Sequence, residues 1–289
     1  MTPGVPDRVA IVLMSALGDV TFGLPLATAI RRARPDVHLT WIVQRGPDEL
    51  LAGHPAVNEL VHFDRKGGIA AYVDIRRRLA TRPFDVVLDL QTALKAGLVT
   101  ALTRAPIKWG IDRTRARDAN TWFTTHQLPP APRRHMVDQF LEFAAVLGVN
   151  PEPLTYGLRP GDAARVYASG TVPGADPYVA LVLASSAAHK NWFPDRWAEV
   201  AEHLVREHRL RVVLVGGTSE AERSAASAIT ARVGASAINA LGSGVGNALG
   251  LLERAALVIA PDTGPLHMAV ALGRPVIGLY GSTNPKWVG

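Results

Sequence analysis

Short apolar runs alternate with longer amphipathic stretches along most of this chain. Residues 178–184, Tyr-Val-Ala-Leu-Val-Leu-Ala, carry no charged or amide side chain, which suits a strand covered on both faces of its sheet. Similar runs rich in Val, Ile and Leu predict strands at 8–13, 39–43, 86–90, 179–183, 212–215, 258–259 and 276–280. Between them, apolar residues recur at helical spacing and predict helices at 25–34, 69–82, 94–104, 138–147, 195–208, 220–233, 248–256 and 266–272. Strands that alternate with helices of this length build βαβ units, and therefore parallel sheets. The expected fold class is α/β, as two Rossmann-like domains whose parallel sheets face each other across a cleft.

Proline and glycine concentrate between 148 and 177, at Pro151, Pro153, Pro160, Pro173, Pro177, Gly157, Gly161, Gly170 and Gly174. Both residue types break helices and strands, so the segment reads as a linker. The expected domains are residues 1–160 and 161–289. No internal repeat of fixed period is visible.

Composition narrows the picture. Of 289 residues, 48% are hydrophobic and 19% charged, enough apolar surface for a core in each domain and too much for a disordered chain. The chain has no cysteine, which excludes disulfides and thiolate metal sites. No apolar run approaches the ~18 residues of a membrane-spanning helix. The first residues, Met-Thr-Pro-Gly-Val-Pro-Asp-Arg, have no basic stretch leading into an apolar one, so no secretory signal is read and the expected location is the cytoplasm. The net charge of +6 is uneven. Residues 1–160 hold 20 Lys and Arg against 15 Asp and Glu, and residues 161–289 hold 11 against 10. The segment 104–135 alone has seven basic and two acidic side chains. This points to an anionic partner for the N-terminal half, or to a solvated arginine-rich surface.

Three segments carry candidate chemistry, each at a strand-to-helix transition, where open α/β sheets bind ligands. In the first, Ser15-Ala16-Leu17-Gly18-Asp19, small residues permit a tight turn and Asp19 opens the next helix, either capping it or serving as a general base towards a hydroxyl. In the second, Ser185-Ser186-Ala187-Ala188-His189-Lys190, two hydroxyls and a lysine form a phosphate cradle, in which Lys190 could neutralise a departing diphosphate. The third is Asp262-Thr263-Gly264-Pro265-Leu266-His267. Proline suits the first turn of a helix, and the amides there can hold an anion. Asp262 would repel a phosphate and fits sugar hydroxyls better. His267 fits a buried structural role as well as a ligand contact.

Other motifs fail on spacing. No Walker-type loop is present. Gly242-Ser243-Gly244-Val245-Gly246-Asn247 lacks the third glycine of a dinucleotide fingerprint, and His203 with Glu207-His208 is one residue too long for a zinc helix. No Asp-x-Asp pair offers a divalent cation a site, so no metal and no cofactor are expected.

Two signatures together identify a family resemblance. They are Ser15-Ala16-Leu17-Gly18-Asp19-Val20 with Leu24-Pro25, and Asp262-Thr263-Gly264-Pro265-Leu266-His267 followed by Gly273-Arg274-Pro275-Val276 and Tyr280-Gly281-Ser282-Thr283-Asn284-Pro285. The chain resembles the ADP-heptose-dependent lipopolysaccharide heptosyltransferases of glycosyltransferase family 9. The Ser-x-Leu-Gly-Asp form, with Asp89-Leu90-Gln91-Thr92-Ala93-Leu94-Lys95, is more similar to the enzymes that add the first heptose than to those that add the second. The resemblance implies the GT-B fold and an inverting, metal-independent transfer of heptose to the Kdo and lipid A inner core. It implies that Asp19 is the general base and that Lys190, Ser185 and Ser186 hold the diphosphate. Asp262 would meet heptose hydroxyls, with Thr263, Gly264 and His267 also at the donor, and Glu220 or Glu222 would contact the ribose. Lys95, Arg117 and His135, with Arg65 and Lys66, would bind the anionic lipid-sugar acceptor. The implied partners are a nucleotide sugar, that acceptor and the inner face of the inner membrane, touched peripherally; no nucleic acid is implied. Relatives continue some tens of residues past the last signature, so the resemblance implies a C-terminal tail absent from these 289 residues. Two other readings fit the same residues: a transferase for another nucleotide sugar, and a non-catalytic nucleotide-binding module.

Overall fold

The computed structural model describes residues 6–289; residues 1–5, part of the segment read above as lacking a secretory signal, lie outside the described residues. The chain divides into two compact units, residues 1–157 and 158–289.

The first unit runs β1 (Arg8–Val12), α1 (Leu17–Ala33), β2 (His38–Val43), β3 (Glu59–His62), α2 (Gly68–Ala80), β4 (Val86–Asp89), α3 (Leu94–Leu102), β5 (Ile107–Gly110), β6 (His126–Gln127) and α4 (Met136–Val146). Its strands are parallel, in the order β3-β2-β1-β4-β5-β6. Val12 pairs with Ile42 on one side and Asp89 on the other. The strand order therefore reverses between β1 and β4, the switch point at whose carboxyl end a crevice opens. Ala10, Val12 and Val87 of the sheet bury one face against Ile75 and Leu79 of α2 and Val99 of α3.

The second unit runs α5 (Asp162–Thr171), β7 (Tyr178–Val182), α6 (Pro194–His208), β8 (Arg211–Val215), α7 (Glu220–Val233), β9 (Ala237–Asn239), α8 (Val245–Arg254), β10 (Leu257–Pro261), α9 (Gly264–Ala271), β11 (Val276–Leu279) and α10 (Pro285–Val288). Its strands are again parallel, in the order β11-β10-β7-β8-β9, with the switch between β7 and β10. Val179, Leu181, Val212 and Leu214 pack on Trp197 and Ala201 of α6 and on Ala225 and Ile229 of α7.

Two expectations are corrected. The first helix begins at Leu17, not at residue 25, and carries Pro25 in its interior. An interior proline costs a helix ~3 kcal/mol. Here the surrounding residues Val20, Phe22, Leu24, Leu26, Ala27 and Ile30 are all buried, and their packing offsets that cost. The second correction concerns the expected linker at 148–177, which contains α5. Its prolines lie outside the helix; Ala164 and Ala168 are buried in it, and Arg165 grips Glu253 of α8 through Nε and Nη2 at 3.2 and 3.1 Å. Arg254 of α8 adds hydrogen bonds to Ala168 O and Gly174 O, both at 2.8 Å. The segment is a docked helix with proline-rich flanks.

Candidate active site

The first candidate cluster lies at the β1/β4 switch point. Asp19 is the third residue of α1 rather than its cap. The cap position is held by Ala16, whose amide donates to Asp19 Oδ2 at 2.9 Å. Asp19 is half-buried and its charge is felt by Lys95, at the second position of α3. The Lys95 ammonium is pushed below the ordinary lysine range, first by burial and then by the Arg65 guanidinium, while Asp19 pulls it back up. The structure thus brings Asp19, Lys95 and Arg65 into one electrostatic neighbourhood.

Arg65 and Lys66 are exposed on a single 3-10 turn, residues 65–67, before α2. The turn is fixed by Asp64, whose Oδ1 accepts from the Lys66 amide at 3.0 Å. They line a cavity of about 810 Å³ together with Gln44, Arg45, His62 and Arg78. Arg117 is exposed, and its amide donates to Thr92 O at 2.9 Å, which ties the β5–β6 loop to the turn before α3. His135 caps α4: its Nδ1 accepts from the Val137 amide at 3.3 Å, and its ring meets Phe22 of α1 edge-on at 5.5 Å. Part of the arginine-rich segment is internal. Arg115 is buried, ion-paired through Nε to Asp112 and through Nη1 and Nη2 to Glu142 at 2.9 and 2.6 Å, so it adds nothing to a basic surface.

The second cluster lies at the β7/β10 switch point. Lys190 reaches from the β7–α6 loop to the end of β10, where its Nζ meets Asp262 Oδ2 at 2.6 Å. Asp262 Oδ1 faces His267 Nε2 at 3.2 Å. Hydrogen bonding from His267 comes first in holding the Asp262 carboxyl well below the usual carboxylate range; burial opposes it, and Lys190 and Thr283 reinforce it. Lys190 was expected to hold phosphate and Asp262 sugar hydroxyls; the two are bonded to each other. An ammonium has three donors, so two remain for further partners. Thr263 precedes α9 with no side-chain cap, leaving the first amides of the helix without a side-chain acceptor at Gly264. His267 is buried on the first turns of the same helix.

Ser185 is folded into its own loop. Its amide donates to Asn191 Oδ1 at 2.7 Å, and its Oγ accepts from the Ala187 amide at 3.1 Å. Ser186 is exposed. The two glutamates differ. Glu222 is buried and closes a capping box: its carboxylate accepts from the Gly217 amide at 2.6 Å, the Ser219 amide at 2.8 Å and the Ser219 hydroxyl at 2.6 Å. Glu220 is exposed and pairs with Arg223 at 2.7 Å.

Sequence reasoning gave no role to Asn191, which shapes the Ser185 loop, or to Thr283, which touches Asp262. It also passed over Asp89, Gln91 and Asn120. Asp89 and Gln91 stand in a quoted signature, yet a buried hydrogen-bond network leaves no periodic signal in sequence.

Comparison with known proteins identifies the family. The family described as glycosyltransferase family 9 (heptosyltransferase) matches residues 72–289. Lipopolysaccharide heptosyltransferase 1 of Pseudomonas aeruginosa is 32% identical, over 98% of this chain and 81% of that protein. Lipopolysaccharide core heptosyltransferase OpsX of Haemophilus influenzae is 28% identical, over 97% of this chain and 80% of its own. The solved structure of E. coli heptosyltransferase WaaC with ADP superposes with a TM-score of 0.84 at 27% identity, covering 98% of this chain and 90% of that one. The two Rossmann-like units are those of the GT-B fold. No helix among the described residues is long and apolar enough to cross a membrane. With its family signatures at the switch points of two parallel sheets, the chain belongs to glycosyltransferase family 9, the heptosyltransferases, and is a glycosyltransferase.

Proposed function

We propose that this enzyme transfers heptose from ADP-heptose to the Kdo and lipid A inner core of lipopolysaccharide, inverting the anomeric carbon without a metal. The observation that carries the reading is the Lys190–Asp262–His267 cluster at the switch point of the second sheet. The relatives' names support the substrates: solved WaaC structures are described with ADP and with ADP-2-deoxy-2-fluoro heptose, and curated relatives are named for lipopolysaccharide.

In this reading the first unit binds the acceptor and the second binds the nucleotide sugar. The acceptor hydroxyl attacks the anomeric carbon on the face opposite the diphosphate. The new C–O bond forms as the bond to the diphosphate oxygen breaks, and the hydroxyl proton passes to the Asp19 carboxylate. A single displacement inverts the centre. The electron pair leaves with ADP, and Lys190, Ser185, Ser186 and the amides of Thr263 and Gly264 stabilise its charge. Asp262 orients heptose hydroxyls beside His267, and Glu220 or Glu222 meets the ribose. Arg65, Lys66, Lys95, Arg117 and His135 hold the phosphorylated acceptor, on an enzyme that touches the cytoplasmic face of the inner membrane peripherally.

The test is an assay with ADP-heptose and a Kdo-bearing lipid A acceptor, with and without EDTA, and with the product anomer read by NMR. Expected are transfer, inversion and no effect of EDTA. Preference for a uridine nucleotide sugar, retention, or a loss restored by added metal would overturn the corresponding part. Asp19→Ala is expected to lower kcat by ~10²–10⁴-fold, the usual contribution of a general base, with ADP affinity by calorimetry within about twofold.

A further inference from the structure

The turns that end β1 and β4 lie on adjacent strands, and one side chain joins them. Gln91 Oε1 accepts from the Met14 amide at 3.0 Å, and its Nε2 donates to Ser15 O at 3.0 Å. Only a carboxamide of this length offers a donor and a strong acceptor to the N–H and C=O of one turn; methionine has no donor and only a weak sulfur acceptor, and ionised glutamate lacks the donor.

Gln91 is itself held from the other side. Its amide donates to Asp89 Oδ1 at 3.1 Å, and its carbonyl accepts from Asn120 Nδ2 at 3.1 Å. The same Nδ2 donates to Ala93 O at 3.2 Å and Asp89 Oδ2 at 3.1 Å, and the Thr100 hydroxyl donates to Asp89 Oδ2 at 2.9 Å. Asp89, Thr100 and Asn120 are fully buried. Asn120 Oδ1 is left without a partner among the described residues, but Nδ2 and both Asp89 carboxylate oxygens are engaged, and a buried polar network bonded in this way rigidifies what it touches. What it touches is the turn four residues before Asp19 and the turn four residues before Lys95.

We propose that Gln91 is a positioning residue: it locks the Met14–Ser15 turn against the turn leading to Lys95, so that the Asp19 carboxylate and the Lys95 ammonium face the acceptor as one unit. The inference rests on the reading of Asp19 as the base and adds a residue that acts through it. A merely structural role would lower stability and leave the chemical step alone.

The variants are Gln91→Met, which keeps length and removes both bonds, and Gln91→Glu, which keeps the acceptor for Met14. Transfer from ADP-heptose to a Kdo-bearing lipid A acceptor is measured for each, beside hydrogen exchange at the Met14 amide. Misplacement by about 1 Å costs on the order of 10²-fold in rate. Gln91→Met is therefore expected to lose roughly 30- to 100-fold in kcat, with both KM values within about threefold and with faster Met14 exchange; Gln91→Glu falls between it and the native protein. Unchanged kcat in a folded variant, or a kcat loss matched by an equal rise in KM, overturns the proposal. If Gln91→Met does not fold, Gln91→Glu is judged by the same criteria. If the native protein transfers no heptose, the functional reading fails instead, and Met14 exchange alone decides whether Gln91 fixes the turn.

Discussion

Asp89 shows how one buried carboxyl sets a pH dependence. Burial pushes its pKa up to about 7, although Asn120, Thr100 and the Gln91 amide all hydrogen-bond the charged form. In the unfolded chain it titrates near 3.8. Between those values the folded state holds a proton that the unfolded state has released. The folded state is therefore favoured at low pH, and that advantage is lost as pH rises from about 4 to about 7. The upper limit of the effect is on the order of 4 kcal/mol, from 1.36 kcal/mol per unit. Urea unfolding at pH 5 and pH 8 should show the native protein less stable at pH 8, by a difference that Asp89→Asn largely removes. The variant has a constant cost of its own, because its amide nitrogen replaces one carboxylate oxygen and so faces either the Gln91 N–H or the Asn120 and Thr100 donors. Equal pH slopes in both proteins would mean that Asp89 stays ionised when buried. At the same scale, Lys190→Ala removes the cation beside Asp262 and leaves that buried carboxylate with His267 and Thr283. Loss of one donor to a developing oxyanion typically costs ~10²–10³-fold. A drop of that size is expected in kcat/KM, and Lys190→Arg should recover part of it.

At the level of elements, α5 and α8 show where sequence reading succeeded and where it could not. The central strands β1, β2, β4, β7 and β8 are legible because they are buried on both faces and read as unbroken apolar runs. β3, β6 and β9 lie at sheet edges, span two to four residues and carry Glu, His, Gln and Asn, so no period can emerge. β5 was missed for a similar reason, with Lys108 in its middle. The candidate site was legible where a small-residue turn carries its chemistry beside it, as at Asp19 and Asp262. It was not legible where partners come from distant elements, as Lys190 reaches Asp262 and Gln91 reaches Met14. The helix α5 was hidden among prolines, and its docking depends on a contact that only the fold reveals. A Cβ built on Gly250 of α8 would lie 2.8 Å from the Ala164 carbonyl carbon, and closer still to its oxygen. Because the obstacle is backbone, Gly250→Ala must push the helices apart. Helix propensity favours alanine by ~1 kcal/mol, and overpacking costs ~1–3 kcal/mol. The net expectation is a destabilised second unit, read as a lower denaturant midpoint at unchanged slope. A stabilised variant would show that α5 shifts freely on α8.

For the whole molecule, the important feature is that each unit owns a core and a switch-point crevice. The proposed division of labour follows from charge as well as topology. The larger basic excess lies in the first unit, where residues 1–157 hold 19 Lys and Arg against 15 Asp and Glu and residues 158–289 hold 12 against 10, and it remains when Arg115 is set aside together with its partners Asp112 and Glu142. The Lys190–Asp262–His267 cluster lies in the second. ADP alone should therefore bind the second unit. By mass action, ADP at 100 times its Kd stabilises whatever binds it by about 2.7 kcal/mol. That stabilisation should appear as slowed hydrogen exchange at 185–191 and at the start of α9, where the proposed reading has amides meet the diphosphate. Exchange at 14–19 and 91–95 should change little until an anionic acceptor is added. Acceptor should then slow exchange there, with a salt dependence that reflects screening of Arg65, Lys66 and Arg117. The two responses separate the roles of the units without relying on turnover. If ADP protected the Asp19 turn as strongly as the Lys190 loop, the assignment of donor to the second unit would fail, because that assignment places the nucleotide's own contacts on the β7 and β10 loops.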